Sequence, residues 1–165
     1  IVAAVDPATW DTLTLASGVV APASPALAHA ILATALLDGA LVTAAVQATT
    51  VVGLVVSAPR SRVEGAPHDL LAVGVAPGWR HRGLATAMLQ AHVAAVAAVS
   101  PGAALEVEVT IAERDVVEPM EPAVRAEVIE RSLRRAGFAL EPAEPSVRRI
   151  DPHALRATRT TVGRT

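Results

Sequence analysis

LLAVGVAPGWRHRGLATAML, residues Leu70 to Leu89, is the stretch that decides the fold. Its opening run, Leu70 to Val75, is apolar and has the length of a buried strand. Pro77-Gly78 marks a turn, and from Gly83 the apolar residues recur at helical spacing. A strand, a short loop and a helix N-terminus follow one another. Arg80, Arg82 and Gly83 fall where loop becomes helix, so unpaired backbone N–H groups, the positive end of the helix dipole and two guanidinium groups should converge there. Such a corner should bind phosphate.

Upstream, Ile1 to Val5 reads as a first strand. Asp6-Pro7 and Ser24-Pro25 each offer an N-cap followed by proline in the first turn. They predict one helix bearing Trp10, Leu13 and Leu15, and a second bearing Leu27, Ile31, Leu32, Ala35 and Leu36 that stops at Asp38-Gly39. Leu41 to Gln47 and Val51 to Ser57 then read as an antiparallel hairpin, and Asp69 to Val75 as the third strand of the set. Downstream, a helix from Gly83 to about Val99 leads to an alternating strand, Leu105 to Thr110. Leu105, Val107 and Val109 lie on one face of it, Glu106, Glu108 and Thr110 on the other. Strand, helix, strand in this order favours a right-handed parallel crossover. A helix from about Glu121 to Ala136 ends at Gly137. Phe138 to Leu140 and Ser146 to Ile150 read as closing strands, and 151–165 as a tail, poor in apolar residues and expected to be mobile.

The order β, α, α, β, β, β, α, β, α, β, β without repeat or break describes one domain over residues 1–150. At 165 residues the chain can bury a core unaided, and with no cysteine it has neither disulfide nor thiolate chemistry. A net charge of −2 gives no basic field for nucleic acid. The most apolar helical stretch, Leu84 to Val99, contains Gln90 and His92 and is shorter than the ~20 residues that span a bilayer, so no membrane partner is expected. No basic region precedes the apolar N-terminal residues, and a cytoplasmic protein is the default. His29, His68, His81, His92 and His153 show no metal-ligand spacing, and no P-loop lysine or Ser-His-Asp order is present.

Arg80-x-x-Gly83-x-Ala85, preceded by Val75-x-Pro77, resembles the acyl-CoA-binding signature of the GNAT superfamily of N-acetyltransferases, R/Q-x-x-G-x-G/A. The order of elements to Ile150 and the Gly137-Phe138 pair resemble that family too. The resemblance implies an α/β (α+β) fold: a mixed, mostly antiparallel sheet of about seven strands with a parallel, splayed central pair, flanked by about four helices. It further implies acetyl-CoA as cosubstrate. Its pyrophosphate would be held by the loop Arg80, His81, Arg82, Gly83, Leu84, Ala85 and Thr86, and its pantetheine arm by the backbone of Val73, Gly74 and Val75. Gly74, in mid-strand, fits either a bulge, a close ligand approach or a packing concession.

Transfer to a primary amine by direct attack requires that amine to be neutral, hence a general base. Glu108 is the first candidate and Glu106 the second, both on the strand that would line the splay. Glu64, His68, Asp69 and Glu113 are weaker ones on flanking segments. Many family members place a Tyr four residues before the Gly-Phe pair to protonate the departing thiolate. Leu133 stands there in this chain, which has no Tyr at all; Ser132 or water are the alternatives. The acceptor would be a small molecule or peptide amine, its identity not encoded in any motif. Dimerisation is common in the family, and no residue here fixes it. A non-catalytic acyl-CoA-binding regulatory module is the alternative function.

Overall fold

Two of the helix starts form as their spacing predicts. The Asp6 carboxylate accepts the Thr9 N–H at 2.8 Å, and that bond lowers the Asp6 pKa. The Ser24 hydroxyl accepts the Leu27 N–H at 3.3 Å. The computed structural model describes residues 1–20, 23–109, 122–142 and 155–160. In order they form β1 (Val2–Val5), α1 (Pro7–Trp10), β2 (Thr14–Leu15), α2 (Pro25–Leu37), β3 (Leu41–Gln47), β4 (Thr50–Pro59), β5 (His68–Val75), α3 (Leu84–Val99), β6 (Ala104–Val109), α4 (Pro122–Arg135), β7 (Ala139–Pro142) and β8 (Leu155–Thr160).

The sheet runs β1-β3-β4-β5-β6-β8-β7, with β2 paired to β4 beside it. Its neighbours are antiparallel except β5 with β6 and the two-residue pairing of β2 with β4. Among the described residues the sheet therefore has eight strands where about seven were expected, and four helices accompany it. The first helix is shorter than its sequence suggests, because Thr14 and Leu15 leave it to pair with Thr50 and Val51, which buries Leu15. The closing strand also differs. Ser146 to Ile150 lies outside the described residues, whereas Leu155–Thr160, assigned to the tail by composition, is inserted between β6 and β7. Ala157 of this strand enters the core, flanked by partly exposed Arg156 and Thr158, and LRATRT carries too few apolar residues to signal burial.

Two apolar layers sandwich the sheet. Trp10, Leu15, Leu32 and Leu36 meet Val42, Leu54 and Val56 on one side; Met88, Leu89, Val96, Leu133 and Phe138 meet Val55, Leu70 and Leu105 on the other. β4 serves both layers, which is why VVGLVV is apolar without alternation. Among the described residues, no helix is long and apolar enough to cross a membrane.

Candidate functional site

β5 and β6 begin as parallel partners, His68 opposite Leu105 and Asp69 opposite Glu106, and then part. Beyond that point β5 stays paired with β4 as far as Val75, and β6 stays paired with β8 as far as Val109. The sheet thus opens between two strands that each keep their outer neighbour. Backbone groups on the inner edge of Leu70 to Val75 face a gap instead of a ladder. A register shift leaves Leu71 unpaired between Leu70 and Ala72, and the apolar side chains of Leu71 and Val73 are 60% and 42% exposed.

At the wide end of the gap the chain makes a single 3₁₀ turn, Pro77–Trp79, and enters α3 through His81 and Gly83, both with positive φ (61° and 75°). Arg82 between them keeps negative φ, and such alternation turns successive N–H groups toward one concavity. Unlike α1 and α2, α3 has no side-chain cap: Gly83 is its N-cap, and the first intrahelical bond runs from the Ala87 N–H to the Gly83 carbonyl. The amides of Gly83, Leu84, Ala85 and Thr86 therefore have no acceptor within the helix. Beyond its own chain neighbours, nothing lies within 4 Å of where a Cβ on Gly83 would stand. A negatively charged, oxygen-rich group fits this corner on both counts, donors and space.

The two guanidinium groups do not converge there. Arg80 turns back, donating from Nε to the Val75 carbonyl at 2.8 Å and from Nη2 to the Gly18 carbonyl at 3.4 Å. Arg82 lies over the Trp79 ring, 5.3 Å from its centroid. What the corner offers an anion is thus its backbone N–H groups, with Arg80 bracing the strand end. The i,i+3 spacing of Trp79 to Arg82 is the local signal in the sequence for this contact.

Residues 18–19 press onto this corner. A Cβ on Gly18 would stand 2.9 Å from Pro77 Cδ, and a Cβ on Gly74 would overlap the Val19 carbonyl oxygen. The strand bulges at Leu71 and not at Gly74, and the chain's own backbone comes close to Gly74.

The carboxylates divide. Glu106 sits at the closed end, level with Asp69, and both accept from Arg60 Nη2, at 2.7 and 2.5 Å. Glu106 thereby lies where the strands are still paired, short of the opening. Glu108 lies two residues further along β6, past the last β5 partner and level with Arg156. Glu64 is exposed on a turn, and Glu113 lies outside the described residues. His68, a weaker candidate for the base, and His92 of α3 are both buried at the sheet. Leu133 is 3% exposed among Met88, Leu89 and Phe138, and the Ser132 hydroxyl donates to the Val128 carbonyl at 3.1 Å.

No protein-family model matches the chain, and no curated protein matches it by sequence. Solved structures do match. The acetoin utilization protein from Exiguobacterium sibiricum 255-15 superposes with a TM-score of 0.78 at 17% identity, over 97% of this chain and 78% of that one. A GNAT-family structure from Desulfovibrio desulfuricans gives 0.67 at 19% identity, over 98% and 100% of the two chains. The Salmonella typhimurium protein yncA, solved with its cofactor acetyl-CoA, gives 0.61 at 12% identity, over 87% and 77%. These likenesses establish the fold, which is that of GNAT acetyltransferases.

Proposed function

We propose that this GNAT-fold chain is an N-acetyltransferase that moves an acetyl group from acetyl-CoA to a primary amine of a small molecule or peptide, both substrates being bound together. The parting of β5 from β6 after Asp69 and Glu106 carries the reading, because it supplies a backbone-lined slot that ends at an uncapped helix. In this reading the amides of Gly83, Leu84, Ala85 and Thr86, with those of Arg80 to Arg82, grip the diphosphate. The edge of Val73 to Val75 pairs with the pantetheine arm.

Acetyl-CoA contributes the activated thioester; the chain contributes placement and proton handling. A backbone N–H at the end of β5 stabilises negative charge that develops on the acetyl oxygen, and being held in the sheet it needs no reorganisation. Glu108, on the open part of β6, takes the proton from the attacking amine. A thiol of pKa ~8.5 leaves readily as thiolate, so a buried Leu133 in place of a proton donor does not forbid turnover. The reading carries with it a cytoplasmic location, where acetyl-CoA is available.

Titration calorimetry with acetyl-CoA, followed by thiol release across a panel of amines, tests this. Saturable binding that Gly83→Glu abolishes, with turnover of at least one amine, is expected. Absence of binding would overturn it. Leu133 favours a second reading, a non-catalytic acyl-CoA-binding module, for which binding without turnover of any amine is the signature.

A further inference from the structure

Among the described residues, the buried polar side chains of this core form a single line. Thr43 on β3, Ser57 on β4, His68 on β5 and His92 on α3 are all 2% exposed or less. Thr43 Oγ1 lies 2.9 Å from His92 Nδ1, and His92 Nε2 lies 2.8 Å from Ser57 Oγ. Ser57 Oγ is 3.4 Å from His68 Nδ1, and His68 Nε2 is 3.3 Å from the hydroxyl of Ser100, the C-cap of α3. Both imidazoles can be neutral with every link made. Thr43 donates to His92 Nδ1, His92 Nε2–H to Ser57, Ser57 to His68 Nδ1, and His68 Nε2–H to Ser100; the reverse direction works equally. Apart from this line, α3 meets the sheet through apolar side chains such as Met88, Leu89 and Val96.

We propose that this line is an acid-sensitive latch that fastens the C-terminal half of α3 to three strands while its rings are neutral and releases it when they are protonated. With both rings charged, Ser57 faces two donors and its own proton loses its acceptor. The charges around the line do not compensate. The carboxylate that favours a charged His68 is that of Asp69, already engaged by Arg60 together with Glu106. Among the described residues, the hydrogen-bond partners of His92 are Thr43 and Ser57 and the charge acting on it is the second imidazole; β1 is Val-Ala-Ala-Val, and Glu127 and Glu130 of α4 pair with Arg131 and Arg134. Burial, with repulsion from His68 second, lowers the His92 pKa to about 4 from 6.5, and burial lowers His68 as well. A ring whose pKa is depressed in the fold takes up its proton more readily once released. The latch is therefore at full strength above pH 6.5 and is lost as pH falls from 6.5 toward 4.

The inference needs no ligand and stands apart from acetyl transfer. Backbone amide exchange of the full chain at pH 7 and pH 5, corrected for intrinsic exchange rates, tests it. The His92 values imply that the released population rises about twentyfold between those pH values, so protection from His92 to Val99 should fall by about that factor. His92→Gln should reduce the fall to the smaller part that His68 contributes, and Asp69→Asn should keep it. Unchanged protection, or the same fall in His92→Gln, would overturn the latch, as would its disappearance in Asp69→Asn. Should His92→Gln not fold, ¹⁵N imidazole spectra of the unsubstituted protein decide. A ring still neutral at pH 5 supports the latch; titration at the ordinary 6.5 ends it.

Discussion

Arg80 Nε donates to the carbonyl of Val75, five residues back, at 2.8 Å, and so closes the turn that joins the end of β5 to α3. Its Nη2 reaches the Gly18 carbonyl, which ties the α1–α2 connection to the same turn. A residue whose charge suggests a phosphate ligand is a brace. Arg80→Ala should lower stability by about 2 kcal/mol in urea unfolding, the scale of hydrogen bonds from a charged donor. Arg80→Lys should recover little of it, because one ammonium does not span two carbonyls on different segments.

Gly74 and Gly53 pair with neighbouring residues of the β4–β5 ladder, yet they should respond differently to alanine. A Cβ on Gly74 meets the backbone of Val19, which cannot swing aside, and Gly74→Ala should cost about 3 kcal/mol. On Gly53 it meets the Met88 methyl at 2.8 Å, the free end of a flexible chain, and Gly53→Ala should cost about 1 kcal/mol. Urea midpoints of the two variants check the order.

His81 holds a left-handed conformation, φ 61°, that costs an L-residue roughly 1 kcal/mol. His81→Gly should be neutral or slightly stabilising by thermal unfolding, and His81→Val destabilising by about 1–2 kcal/mol. If the loop binds through its amides, His81→Gly retains acetyl-CoA affinity in calorimetry. A fall of tenfold or more would assign the imidazole itself to the ligand.

Glu106 and Glu108 are separated by where the strands part. Glu108→Gln should lower kcat/KM at least a hundredfold and flatten the acid limb of the pH–rate profile, as loss of a general base does. Glu106→Gln should leave that profile in place. It removes one arm of a partly exposed ion-pair cluster and should change stability by less than about 1 kcal/mol.

Much of this molecule was legible in local sequence. Asp6 and Ser24 cap their helices, Gly39 and Gly137 end theirs with positive φ, and the strands of the β3–β4 hairpin, β5 and β6 lie within a few residues of their expected limits, because each depends on neighbours only a turn away. β8 was not legible, since Leu155–Thr160, LRATRT, has two apolar residues in six and carries almost no hydropathy signal. The line from Thr43 to Ser100 was invisible for another reason: its members come from three strands and a helix, and nothing in their spacing relates them.

The chain's order of residues determined by itself that a strand, a turn and a glycine-opened helix would follow one another, since backbone conformation and apolar period are local properties. Tertiary structure decided what that corner is made of. Arg80 bends back to two carbonyls, Arg82 rests on Trp79, and Glu106 is spent where the strands still touch. The direction of a long charged side chain is set by whichever partners folding brings within reach, and those partners lie up to 62 residues away.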